Sequence, residues 1–131
     1  MSHLSGDDEY DDPSIADDVR VLRRIHPTLV VFGDGGPRPQ SGAFDNSPDG
    51  TGTSVDIWEA DWGPGDTLRD HEGFYLVQLT VGDLRQNELG ICRFPLENNP
   101  HHAHIQGRKT SSRKRRLARA AKWVGDLPAQ R

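Results

Sequence analysis

The chain has few of the residues that cross-link a protein and no long apolar segment that could anchor it in a membrane. One cysteine, Cys92, occurs among the 131 residues, so no internal disulfide can form. A single thiol suits a reducing cytosol. No run approaches the roughly 20 apolar residues of a membrane span, and the acidic N-terminus lacks the apolar core of a secretory signal. These absences predict a soluble cytoplasmic protein that makes no membrane contact.

Apolar residues are also scarce, at 33% of the chain, whereas glycine and proline are common, with 14 and 9 copies. This composition is typical of a small domain with much loop. The acidic start is poor in apolar residues, which predicts disorder. We therefore expect an acidic disordered tail over residues 1–14, a single domain over 15–125, and a short tail over 126–131.

Short apolar and β-branched runs predict most of the secondary structure. Residues 15–25 fit a helix or a strand equally well, and Val81 to Leu89 fits a short helix ended by Gly90. Gln40 to Phe44 and Thr53 to Trp58 look like strands paired across the turn at residues 48–50. Further strands are predicted at residues 28–32, 74–80, 91–94 and 101–106.

The clearest element is a basic helix from Ser111 to Val124. Thr110 and the serines after it are competent N-caps, and Gly125 supplies a stop. Leu117, Ala121 and Val124 recur at helical spacing and are expected to pack on the sheet. The strands lie too close together for repeated parallel crossovers. The predicted fold is therefore α+β: a small, mainly antiparallel sheet with a C-terminal amphipathic basic helix.

The last predicted strand carries three histidines. Residues i and i+2 of a strand share one face, so His102 and His104 should project together, as two ligands of one zinc ion must. A metal site needs further ligands, and His26, His71 or His101 could supply one. The alternative interpretation is that one histidine is half-buried and hydrogen-bonded while the others face solvent.

Charge is segregated along the chain. Residues 1–18 hold seven acids and no Lys or Arg, and residues 108–122 hold eight Lys or Arg and no acid. Cations in the first turn of a helix oppose its dipole, so a phosphate group or a nucleic acid docked there would explain their position. The alternatives are a solvated outer face and pairing with the acidic residues 7–18. The candidate binding residues are Arg113, Lys114, Arg115, Arg116, Arg119 and Lys122.

Two further functions fit the sequence. The first is a small enzyme acting on a phosphate ester, although no G-x-S-x-G elbow is present. Its catalytic candidates, expected to line one polar pocket, are His26, Ser41, Ser54, His102, His104 and Lys109. The second is a protein-interaction partner in a toxin, defence or phage context, for which an exposed apolar patch around Trp62 would be the sign.

Several short segments carry a resemblance. The sequence reads R-I-H-P at Arg24 to Pro27, S-G-A-F at Ser41 to Phe44, S-V-D at Ser54 to Asp56, and N-P-H-H-A-H-I-Q-G at Asn99 to Gly107. In these segments, across about residues 22–124, the chain resembles a loosely defined group of small bacterial proteins of unknown function. The resemblance implies a stand-alone bacterial domain and carries over no catalytic residue. A comparable order of polar strands occurs in ADP-ribosyl-transferring folds, which adds that transfer to the enzyme alternatives.

Overall fold

The computed structural model describes residues 11–48 and 50–129. Its main sheet has six strands, all paired antiparallel, in the order β6-β7-β4-β1-β5-β8. A separate hairpin joins two further strands, and three α-helices and two short 3-10 turns complete this described part of the chain. The strands are β1 (Arg20–Ile25), β2 (Val30–Gly33), β3 (Gly36–Pro39), β4 (Thr53–Ile57), β5 (Tyr75–Thr80), β6 (Gly90–Arg93), β7 (His102–Gln106) and β8 (Lys122–Trp123). The helices are α1 (Pro64–Leu68), α2 (Val81–Gln86) and α3 (Ser111–Ala120). The predicted α+β class is confirmed.

The register of the central strands separates the sheet into two chemically different faces. Leu22 pairs with Asp56, and Asp56 pairs with His102, so these three side chains lie on one side, here called the pocket face. Val21 pairs with Ile57 and with Leu79 on the opposite side, here called the core face. The core face carries nine buried apolar residues, namely Val21, Ile25, Val55, Ile57, Val77, Leu79, Ile91, Ala103 and Ile105.

Helices α2 and α3 and the 3-10 turn Ser41–Phe44 cover the core face. Phe44 and Leu117 are fully buried against it, together with Leu84 of α2. Full burial of such a side chain contributes about 1.5–3 kcal/mol. The core therefore lies between the sheet and these helices, and the pocket face is left for loops to cover.

The hairpin predicted between Gln40–Phe44 and Thr53–Trp58 is wrong. Ser41–Phe44 forms a 3-10 turn, because β4 already has β1 and β7 as partners on its two sides. The carbonyl groups of the turn bond to side chains instead. Arg23 Nε donates to the Ala43 carbonyl at 3.0 Å, and Thr53 Oγ1 donates to the Phe44 carbonyl at 2.9 Å.

The C-terminal helix is shorter than predicted. It begins as expected, with the Thr110 hydroxyl accepting from the Arg113 backbone N–H at 3.2 Å. It ends at Ala120, because the next residues become β8 and pair with the open edge of β5. Val124 therefore lies beyond the helix, where its N–H donates to the Leu76 carbonyl at 2.9 Å.

The ambiguous segment 15–25 contains no helix. Its second half is β1, at the centre of the sheet. Most of the predicted disordered tail, residues 1–10, lies outside the described residues. In its described last part, Asp12 N–H donates to the Ile91 carbonyl at 2.8 Å, and Arg85 of α2 pairs with Asp11 at 3.1 Å. No helix in the described part of the chain combines the length and apolar character needed to cross a membrane.

Candidate functional site

A polar pocket of about 430 Å³ lies on the pocket face of the sheet. Strands β1, β4 and β7 form its floor, and two segments form its walls, residues 62–71 around α1 and residues 96–99 after β6. The volume falls within the range of small-molecule sites. The lining side chains that carry polar chemistry are Arg24, Ser54, Asp56, Trp62, Asp66, Thr67, Arg69, Asp70, His71, Asn98, Asn99 and His102.

Asp56 holds the walls of this pocket together. Its side chain is buried, with 3% of its surface exposed. Oδ2 accepts from Thr67 Oγ1 at 2.8 Å and from Trp62 Nε1 at 3.1 Å, and Oδ1 accepts from Asn99 Nδ2 at 2.8 Å. A buried carboxylate is tolerated when its lone pairs are satisfied in this way. One strand residue therefore fixes both walls. Trp62 is half-buried, and its indole N–H points toward Asp56.

His102 presents a defined nitrogen to the pocket. Its Nδ1 lies 2.9 Å from the Phe94 carbonyl oxygen, which can only accept, so Nδ1 carries the hydrogen. In the neutral ring, Nε2 then keeps an unprotonated lone pair. This is the arrangement required of a hydrogen-bond acceptor, a general base or a metal ligand.

The predicted pairing of His102 with His104 on one face is confirmed, with ring centroids 5.0 Å apart. His104 is buried and stacks on Phe94 at a centroid distance of 4.4 Å. His101 faces away, with Nδ1 2.6 Å from Glu59 Oε1. Among the residues that the structure describes, no group of three or more His, Cys, Asp or Glu side chains is arranged to hold a metal ion. Zinc at His102 and His104 stays a prediction.

Arg24 supplies the positive charge inside the pocket. Its Nη1 donates to the Thr67 carbonyl at 3.1 Å. Burial lowers the pKa of this guanidinium, and the neighbouring charge of Asp56 opposes that shift. The charge of Arg24 also affects His71. Burial is the main cause that lowers the pKa of His71, and repulsion from Arg24 lowers it further. The pocket thus combines a half-buried cation with a satisfied buried anion.

The six predicted catalytic residues do not converge in one pocket. Ser54 and His102 line the polar pocket, and His104 lies beside His102. Lys109 is a structural residue, because its Nζ donates to Asn46 Oδ1, the Ile105 carbonyl and the Gly107 carbonyl at 2.8, 2.9 and 2.8 Å.

The other two catalytic candidates lie elsewhere. His26 is exposed, and its Nδ1 caps a 3-10 turn by accepting from the Thr28 N–H at 3.1 Å. Ser41 lies on the opposite side of the sheet, in a cavity beside α3. The prediction that all six residues line one pocket is therefore wrong.

The predicted basic surface divides into paired and unpaired residues. Arg113 and Lys114, in the first turn of α3, pair with Glu88 at 3.2 Å and Asp45 at 2.5 Å. Those acids offset the unfavourable position of both cations near the helix N-terminus. Arg115, Arg116, Arg119 and Lys122 are exposed, and none of them forms an ion pair within residues 11–48 and 50–129.

Three arginines surround a second cavity, of about 260 Å³, between α3 and β3. They are Arg38, Arg115 and Arg119, joined by Gln40 and Ser41. A groove on the other side of Arg119, between α3 and α2, is lined by Arg116. Arg38 was missed in the sequence because only tertiary docking brings β3 to α3. Trp123 Nε1 fixes that docking by donating to the Pro37 carbonyl at 3.0 Å.

Comparison of the chain with models of known protein families, with curated proteins and with solved structures finds no match. The resemblance to small bacterial proteins stays a prediction, and functional inference rests on the two sites themselves.

Proposed function

We propose that the protein is a cytoplasmic binding module that engages the phosphate backbone of nucleic acid through an arginine surface. This surface consists of Arg38, Arg115, Arg116 and Arg119. The observation that carries the proposal is the cavity that three of these arginines line, none of them ion-paired with a carboxylate among the described residues.

Clustered like charges repel one another, and such a cluster costs stability unless an anion binds between its members. Guanidinium groups match phosphate oxygens in a bidentate geometry, which makes arginine well suited to backbone contacts. Ser41 and Gln40 add neutral hydrogen-bond donors to the same cavity. Side chains of these types make many of the phosphate contacts in protein–DNA complexes.

The extent of the arginine surface favours a polymer over a single phosphate ion. Arg119 lines both the cavity beside β3 and the groove beside α2, so the cationic area continues across α3. Asp83, which also lines the α2 groove, caps the N-terminus of its own helix: its Oδ2 accepts from the Thr80 N–H at 2.9 Å. A backbone of successive phosphates could contact both depressions at once.

The test is fluorescence anisotropy of a labelled DNA duplex at increasing NaCl concentration. Four phosphate contacts predict a log–log slope of roughly −3.6, or about a 150-fold loss of affinity between 50 and 200 mM salt. The double variant Arg115→Gln/Arg119→Gln should halve the slope. Its control, Arg69→Gln/Arg93→Gln, removes equal charge from residues that are paired with acids. Equal effects of the two double variants would overturn the proposal.

The acidic N-terminal segment gives the proposal a second part. Residues 1–10 contain three acids, and their removal leaves the contacts of Asp11 and Asp12 with Arg85 and β6 in place. We infer that this segment competes with nucleic acid for the arginine surface. A chain beginning at residue 11 should bind the same duplex more tightly at low salt. Unchanged affinity would remove this second part alone.

A further inference from the structure

We propose that the polar pocket binds a small hydroxylated monocarboxylate of the sugar-acid type, with the ligand carboxylate on Arg24 and a ligand hydroxyl donating to His102 Nε2. This ligand site is independent of the arginine surface, which lies on the opposite side of the sheet.

Arg24 provides the carboxylate position. Only one of its N–H groups has an acceptor within the described part of the chain, the Thr67 carbonyl at 3.1 Å. That bond orients the guanidinium and leaves the remaining donors available to the pocket, which Arg24 lines. A guanidinium fixed at one nitrogen is preorganised for bidentate binding of a carboxylate.

His102 provides the hydroxyl position. Its Nδ1–H is held by the Phe94 carbonyl at 2.9 Å, so the acceptor nitrogen of the neutral ring is Nε2. A site with an oriented acceptor discriminates strongly in favour of a ligand with a matching donor, because the unmatched acceptor would lose its bond to water. The amide of Asn98 and the hydroxyl of Ser54 line the same space and can bond to further hydroxyl groups.

The charges of the lining favour a monoanion over a dianion. Asp66 is neutralised by Arg69, whose Nη2 lies 2.7 Å from Asp66 Oδ1. The oxygens of Asp56 accept the hydrogen bonds that hold the pocket walls, and Asp70 lies at the rim. Among the described lining residues, Arg24 is then the arginine without an ion pair, and Asp56 and Asp70 are the carboxylates without one. A phosphate dianion would be repelled more than a carboxylate would. The volume of about 430 Å³ accommodates a chain of several hydroxylated carbons.

The experiment is an NMR titration of the isotopically labelled full chain with four probes: gluconate, sorbitol, hexanoate and glucose 6-phosphate. Gluconate has both the carboxylate and the hydroxyls, and each other probe lacks one feature or replaces it. We expect saturable shifts of the His102 ring signals with gluconate, and at least tenfold weaker binding of the others. No saturable shift with gluconate would overturn the proposal, as would equal binding of sorbitol or hexanoate. Tighter binding of glucose 6-phosphate would refute the charge argument.

Variants then assign the contacts. Arg24→Gln and His102→Gln should each weaken gluconate binding at least tenfold, and Arg24→Lys should weaken it less than Arg24→Gln. Arg20→Gln is the matched control, because Arg20 is on the same strand but stacks over Trp58, with Cζ 3.8 Å from the ring centroid. Arg20→Gln should bind gluconate like the parent, and a loss equal to that of Arg24→Gln would count against the assignment. DNA binding should be unchanged in all four variants, which separates failure of this proposal from failure of the proposed function.

Discussion

Replacing Asp56 by alanine tests whether one buried carboxylate holds the walls of the polar pocket. The substitution removes the acceptor of three hydrogen bonds, of 2.8, 3.1 and 2.8 Å, from Thr67, Trp62 and Asn99. Each bond to a charged group contributes about 1.5–3 kcal/mol, but loops can turn some freed donors toward water. We therefore expect a loss of about 3–4 kcal/mol. At about 2.1 cal/mol/K per residue, this lowers Tm by roughly 11–15 °C.

Asparagine at the same position gives a graded result. Its carbonyl oxygen can still accept from Trp62 and Thr67, but its amide then faces the Asn99 amide, donor against donor. The expected cost is about 1–2 kcal/mol. Urea unfolding followed by tryptophan fluorescence measures both variants. Asp61→Ala is the control, because its side chain is 79% exposed and should change stability by less than about 0.5 kcal/mol. An alanine variant within about 1 kcal/mol of the parent would refute the role of Asp56.

Three other predictions concern single residues. Gly107→Ala should destabilise the fold by about 1–3 kcal/mol in urea, because φ is 115° and a Cβ would lie 2.9 Å from Leu89 Cδ2; an unchanged midpoint would contradict this. The pKa of His71 lies below its ordinary value of 6.5, so the unfolded chain binds more protons and stability falls as pH drops through 6.5. Arg24→Gln should raise that pKa in an NMR titration, and an unmoved pKa would place Arg24 elsewhere. Lys109→Met should cost about 2–3 kcal/mol in thermal unfolding, since its ammonium donates to three oxygen atoms; full stability would refute its structural role.

Local signals in the sequence predicted those elements whose conformation does not depend on their neighbours in the fold. Strand β5 follows an apolar run and the start of α3 follows an N-cap residue, and both signals act within a few positions. The segments at 40–44 and 121–124 depended on which strand edges were still open. Whether β4 had an unpaired side, and whether β5 ended the sheet, are properties of the whole topology that no short window contains.

The residues of the candidate sites were likewise predictable only where a local signal placed them. The shared face of His102 and His104 followed from strand periodicity alone. The remaining groups could not be predicted in place. Thr67 and Asn99 reach Asp56 from two loops, and Arg38 reaches α3 from a separate hairpin. Loop docking depends on the finished core, so the sequence names the side chains but does not say which of them meet.

The order of strands also determines how the chain must fold. Val21 of β1 pairs with Ile57 and Leu79, and Ser54 of β4 pairs with His104, so the middle of the sheet is made almost entirely of sequence-distant contacts. Closing such long loops before any contact stabilises them slows folding to the millisecond-to-second range. During synthesis, β4 lacks one neighbour until His102–Gln106 has left the ribosome. Until then the nascent sheet exposes the unpaired edge of β4, and an unpaired strand edge favours aggregation.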